Sequence, residues 1–430
     1  MIPGARIAAA IEIIGEIEAH KRPAADVMKD WGHSHRFAGA KDRAAIATLV
    51  YDALRRRASS AYIMGEETSR AIVLGSIRQL HDVSIGTLAL HCSGEAHAPP
   101  RLTEEETRRL SAMDLSGAPD HVAGDFPEWL APSLAHVFGP QLVAEMRALA
   151  ERAPVDLRVN TLKTNREKAI RLLKHLGAAP TPLSPAGLRL PPAQDGSSPR
   201  LPAEAAYAKG LVEIQDEASQ LAALLSAAKP SEQVLDLCAG AGGKTLALAA
   251  MMQNKGQIHA TDRDGVRLMQ AVARLKRAGV RNVQLHALRK GAAIFAGLEE
   301  RCDLVFVDAS CTGIGTWRRN PDAKWRIRPG AVAARIAEQD RVLAEAARFV
   351  KSGGRLLYAT CSVLKEENED RFAAFLASRK EYISVPAPTM AEMAGLPLPG
   401  RFASPLGFGI RLSPLASGTD GFFIGMLRRG

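Results

Sequence analysis

Aromatic residues make up only 5% of the chain, and the five cysteines, Cys92, Cys238, Cys302, Cys311 and Cys361, contain no CxxC pair. So odd and sparse a set indicates neither a disulfide framework nor a structural zinc site. No metal is expected, and a reducing cytoplasm fits best. No apolar run reaches the roughly 18 residues that a membrane-spanning helix needs. The opening MIPGARIAAAIEIIGEIEAHKR has the look of a secretory leader, but Glu12, Glu16 and Glu18 interrupt its apolar core. Positive charge, by contrast, is in excess: Lys+Arg number 56 against Asp+Glu 46, a net +10. That balance favours a polyanionic partner through phosphate neutralisation, without by itself proving one.

A length of 430 residues implies two or three domains. In residues 1–120, Ile7, Ile11 and Ile14 recur at helical spacing, and Ile46, Leu49, Val50 and Leu54 form one stripe of a second helix. This segment is expected to be all-helical. Arg55, Arg56 and Arg57 close the second helix and read as a solvated, dipole-matched end, with a phosphate contact the alternative. Residues 121–228 mix helical FGPQLVAEMRALAERA with strand-like VDLRVNTLK, predicting a small α+β module. The Pro-, Gly- and Ser-rich stretch TPLSPAGLRLPPAQDGSSPRLP suits loops around short edge strands. Across residues 229–430, QVLDLC, QIHATD, NVQLHAL, DLVFVDA and GRLLYATC alternate with helical stretches. That is the signature of a Rossmann-like, doubly wound α/β sheet, whose ligands sit at the carboxyl ends of the strands.

The first of these strands runs into Cys238-Ala239-Gly240-Ala241-Gly242-Gly243-Lys244 and then a helix, so bare backbone can approach a ligand. Asp262 ends the second strand, where a carboxylate can accept hydrogen bonds from ribose hydroxyls. Together they indicate an adenosine-type ligand. A P-loop needs Gly where Cys238 stands and GxGxxG needs Gly at Thr245, so the triphosphate and dinucleotide readings lose ground. Two further strands end in cysteine: Asp308-Ala309-Ser310-Cys311 and Thr360-Cys361-Ser362. Both thiols are expected to open into one crevice, whereas Cys92 and Cys302 read as buried small hydrophobes.

The runs VLDLCAGAGGKT, DASCTGIGTWRRNPDAKW and YATCSVLKEENE, in this order, closely resemble the Sun/NOP family of RNA (cytosine-5)-methyltransferases, nearest its RsmB-like branch. LRVNTLK and EIQDEASQ look like the family's RNA-recognition-like module and its junction, DGFFIGMLRR like its closing strand, and the helical start like a NusB-like RNA-binding domain. The resemblance implies methyl transfer from S-adenosylmethionine to carbon 5 of a cytosine in RNA, with ribosomal RNA the substrate of that branch; the chain is expected to be a monomer. It places the nucleophile at Cys361, a product-releasing thiol at Cys311, an Asp on the cytosine edge at Asp308 and a lysine near the base at Lys244. Residues 238–244 and Asp262, with Asp308 close by, would hold the cofactor. Three departures stand out. Ala241 and Ser310 occupy positions where the family usually has proline, and the carboxylate it often sets near Leu288 is missing.

Between the cysteines, TWRRNPDAKWRIR interleaves Trp317 and Trp325 with Arg318, Arg319, Lys324, Arg326 and Arg328, a mix suited to phosphates and unstacked bases, the alternative being core tryptophans and solvated charges. Arg158 and Asn160 either orient the small module or contact RNA. Two rival functions are a DNA cytosine methyltransferase, whose nucleophile would be expected in a Pro-Cys pair that Ser310-Cys311 lacks, and a catalytically silent RNA-binding assembly factor.

Overall fold

The computed structural model describes residues 1–430 apart from 96, 192–198, 288–294 and 296. The described residues fall into two compact units, one built from 1–152 together with 317–328, the other from the remainder beginning at Ala153. No helix among them is long and apolar enough to cross a membrane.

The first unit contains helices and no named strand among its described residues, including Pro3–His20, Ala40–Arg55, Arg57–Met64, Ser69–Leu80 and Leu142–Ala150. Its core follows the isoleucine spacing: Ile7, Ile14 and Ile17 of the first helix pack with Ile46, Val50 and Leu54 of Ala40–Arg55 and with Ile72 and Val73. A reciprocal capping box, Thr103 with Glu106, starts the helix Glu104–Ala112. Gly75 is needed for close approach, since a Cβ there would lie 2.8 Å from the Ser60 Cβ. The helices between residues 120 and 150 group with this unit.

Residues 317–328 belong here too, and this corrects the reading of both basic stretches. Trp317, Arg318 and Lys324 are buried. Trp325 packs on the helical core and donates its indole N–H to the Leu54 carbonyl at 2.6 Å, with the Arg57 guanidinium 5.1 Å above its ring. Arg55 is not a solvated helix end. Its Nη1 donates to the carbonyls of Ala150, Glu151 and Arg318 at 3.3, 3.0 and 2.8 Å. Arg56 and Arg57 pair with acidic side chains, Arg57 with Glu18 at 2.9 Å. The physical reason is that distant segments bring carbonyls and carboxylates to this helix end, so these cations meet them rather than water. Arg328 alone of the loop's named basic residues is exposed.

The second unit holds two sheets. Strands β1 (Val155–Val159), β2 (Ala179–Pro180), β3 (Gly187–Leu190) and β4 (Val212–Ile214) form an antiparallel sheet in the order β2-β3-β1-β4. Strands β5 (Gln233–Asp236), β6 (Gln257–Asp262), β7 (Val283–Ala287), β8 (Cys302–Asp308), β9 (Val350–Thr360), β10 (Tyr382–Val385), β11 (Ile410–Leu412) and β12 (Phe422–Arg429) form the larger one. Its order is β10-β12-β9-β8-β5-β6-β7, with β11 pairing β12. The pairs β5–β6, β6–β7, β5–β8 and β8–β9 are parallel, and β12 enters antiparallel between β9 and β10. The LVFV run of β8 is buried throughout, as a central parallel strand with both faces covered requires. The Rossmann-like sheet expected from the alternating pattern is thus present, and the carboxyl ends of β5, β6, β8 and β9 share one edge.

Lys324 makes the first unit's stability depend on pH. Burial outweighs the attraction of Asp125 and holds the ammonium down from 10.5 to about 7. Between those values the unfolded chain binds a proton that the folded chain lacks, so stability rises with pH across that window. Lys324→Met should flatten the rise, seen as a smaller difference between urea midpoints at pH 7 and pH 10. An unchanged difference would contradict the assignment.

Candidate functional site

The turn after β5 is shaped by two glycines in the left-handed region, Gly240 at φ 54° and Gly242 at φ 80°, and a Cβ at Gly242 would fall 2.8 Å from that of Ala271. The helix Gly243–Met251 begins there. Ala239 N–H donates to the Thr261 carbonyl at 2.9 Å, and Gly240 N–H donates to Asp262 Oδ2 at 2.7 Å, so the end of β6 clasps the turn. Asp262 Oδ1 accepts from the Asp264 N–H at 2.8 Å. A cavity of about 300 Å³ opens here, lined by Leu237, Cys238, Asp262, Ser310 and Glu338 among others. Burial, reinforced by nearby Asp236 and Asp308, pushes the Cys238 thiol well above its ordinary range, so it sits in the wall as a neutral group.

Beneath the turn, Asp236 is fully buried and pushed up to about 7, although Thr245 donates to it at 2.6 Å. Lys244 Nζ lies 2.6 Å from Asp308 Oδ2 and 5.1 Å above the Phe422 ring. The two strand-end thiols meet, with Cys311 Sγ 3.3 Å from Cys361 Sγ. Cys311 is pushed well above the usual thiol range, first by this hydrogen bond, then by burial and by the charge of Glu367. Either thiol can serve as the donor in this contact. Cys92 and Cys302 are buried.

Arg158 and Asn160 orient the small sheet on the large one. Both are buried; Arg158 Nη1 donates to the Gly243 carbonyl at 2.8 Å, and Asn160 Nδ2 to those of Gly210 and Ala278, each at 2.8 Å. The position near Leu288 lies outside the described residues. Sequence reasoning missed Thr312, Gln339 and Glu367, which hold the Cys311 turn: Thr312 N–H donates to Glu367 Oε1 at 2.8 Å, and Gln339 Nε2 reaches both Glu367 Oε1 and the Ser310 carbonyl. Glu367 lies within the run YATCSVLKEENE, but spacing alone gives it no partner, and Gln339 sits in a helix with no motif.

A family profile described as 16S rRNA methyltransferase RsmB/F matches residues 223–428, and one described as the ferredoxin-like domain of RsmF/B-like methyltransferases matches 126–195. Over 310 residues the chain is 32% identical to the probable ribosomal RNA small subunit methyltransferase B of Synechocystis sp., covering 71% of this chain and 67% of that one. The chain belongs to the RsmB/F methyltransferase family. It is also 30% identical over 415 residues to the ribosomal RNA small subunit methyltransferase B of Erwinia tasmaniensis, with 90% of this chain and 91% of that one covered. Among solved structures, a methyltransferase homologue from Pyrococcus horikoshii superposes with a TM-score of 0.58 at 26% identity, covering 72% of this chain and 98% of that one. Within this RsmB/F member the four strand ends therefore carry a methyltransferase framework.

The thiol separation is open to direct measurement. Dibromobimane, whose two arms alkylate neighbouring thiols, should bridge Cys311 and Cys361 and become fluorescent in the folded protein. Replacing either cysteine by alanine should remove that fluorescence. A bridge that persists in the Cys361→Ala variant would show that the reagent reads another pair.

Proposed function

We propose that this RsmB/F member transfers a methyl group from S-adenosylmethionine to carbon 5 of a cytosine in RNA, ribosomal RNA being the substrate class its relatives' names suggest. The observation that carries this reading is the pair of thiols 3.3 Å apart at the ends of β8 and β9, beside the Lys244–Asp308 ion pair. In this reading the helical domain, residues 1–120, docks RNA, the small module spans 121–228, and 229–430 performs the transfer.

The cavity residues fit the methyl donor. Each oxygen of Asp262 accepts one backbone N–H, which leaves acceptor capacity on both for the two ribose hydroxyls. About 300 Å³ is at the lower end of the size that ligand sites occupy. The bound donor supplies a methyl group on a sulfonium. Carbon 5 of an intact cytosine is a poor nucleophile, so Cys361 Sγ first bonds to carbon 6 and the ring electrons move onto carbon 5. Cys311 lies in hydrogen-bond contact with this sulfur at 3.3 Å. Asp308, fixed by Lys244, faces the base edge and stabilises the charge that develops. After methylation the carbon 5 proton passes to a water molecule, the carbon 5–carbon 6 double bond reforms and Cys361 departs as thiolate. Cys311 assists this elimination.

Two measurements test the reading. Asp262→Ala should weaken S-adenosylmethionine binding by roughly 1 to 3 kcal/mol, through loss of hydrogen bonds to a charged acceptor. Calorimetry showing wild-type affinity in a folded variant would remove Asp262 from the site. Cys361→Ser should abolish methylation and adduct formation, whereas Cys311→Ala should form an adduct with RNA that survives denaturing electrophoresis and requires S-adenosylmethionine. The reverse pattern would exchange the two roles. No adduct in any variant, together with an inactive parent, would favour a silent assembly factor.

A further inference from the structure

No step above uses Glu367, although its side chain is fully buried in the short turn Lys365–Glu367. Burying a carboxylate is unfavourable unless strong donors offset the lost water. Here the donors are specific. Oε1 accepts from Thr312 N–H at 2.8 Å and from Gln339 Nε2 at 3.1 Å, while Oε2 accepts from Thr312 Oγ1 at 2.5 Å. Gln339 Nε2 also donates to the Ser310 carbonyl at 3.0 Å, and the Glu367 carbonyl accepts from Tyr358 O–H at 2.6 Å. Three donor contacts thus converge on its two oxygens. No cation pairs with it among the described residues. The residues on either side of Cys311 are thus tied to this one group, Thr312 directly and Ser310 through Gln339. Ser310 leaves its own φ free where a proline would fix it, so restraint of the turn has to come from such contacts.

We propose that Glu367 is the positioning residue for Cys311: its carboxylate fixes the 310–312 turn so that the Cys311 thiol faces Cys361 Sγ. The role in turnover rests on the covalent reading given above. Glu367 touches no reacting atom, so it acts only through the turn and through its charge. After the Cys361 contact, burial and the charge of Cys361, that charge adds to what opposes ionisation of Cys311.

The test uses the full chain, small-subunit ribosomal RNA transcribed in vitro, and S-adenosylmethionine. In a background carrying Cys361→Ser, the pH midpoint for alkylation of Cys311 by iodoacetamide is read by mass spectrometry. Glu367→Gln removes the charge and should lower that midpoint by roughly one unit, since removing a like charge favours the thiolate. Glu367→Asp keeps the charge but is one methylene short. It should hold the midpoint near that of the parent while, with both cysteines present, stalled RNA adduct accumulates several-fold, as in Cys311→Ala. Thr312→Val removes one donor without touching the carboxylate and should raise the adduct to a lesser degree.

A parental midpoint and parental adduct level in folded Glu367→Gln would overturn the proposal. If circular dichroism shows the Glu367 variants unfolded, Thr312→Val decides, and parental turnover and adduct in that variant would equally overturn it. Should Cys311→Ala accumulate no adduct, the covalent reading fails instead, while the alkylation midpoint still reports on Glu367.

Discussion

The parallel pairing of β8 with β9 sets Asp308 opposite Ala359, and the arrangement of the site follows from that register. Each strand then runs a short way further to its cysteine. A slip of one residue would turn the side chains of one strand to the other face of the sheet and carry its thiol away from the other. The register is held from both sides. β5 pairs with β8 through Val234 to Asp236, and β12 closes on β9 from Phe423 to Arg428. A closing strand that enters antiparallel thus supports a site to which it contributes one ring, Phe422, under Lys244.

Charge in this region is sparse and individually accounted for. Asp308 has Lys244, Asp262 has backbone amides, Glu367 has a threonine and a glutamine, and Asp236 relieves its burial by holding a proton near neutrality. Burial and nearby acidic groups hold the Cys238 thiol neutral, and the Cys361 contact and burial raise that of Cys311.

Much of this was legible in the sequence because it is local. Strand-to-turn runs such as QVLDLCAGAGG record both a buried strand and the backbone freedom its end requires, and the observed strands fall on the expected runs. The helical stripe of Ile46, Val50 and Leu54 was equally plain. What escaped depends on partners far apart in the chain. Arg55 looks like a solvated helix end until the carbonyls of Ala150, Glu151 and Arg318 are brought to it. Trp325 looks like a stacking platform until its indole finds Leu54. Glu367 and Gln339 have no meaning in isolation, since neither periodicity nor composition encodes a hydrogen bond closed across the fold.

The course of residues 317–328 has a consequence for how the chain can be cut. The polypeptide leaves the sheet-bearing unit just after the Cys311 turn, contributes Trp317, Lys324 and Trp325 to the helical unit, and returns at Pro329. The helical unit is therefore no detachable appendage in front of an enzyme. A chain begun at Ala153 would still carry this excursion, with Trp325 and the buried Lys324 stripped of the helix they bond to. Recombination or engineering that exchanges the amino-terminal helices has to carry this strap along with them, because the boundary between the units crosses the sequence more than once.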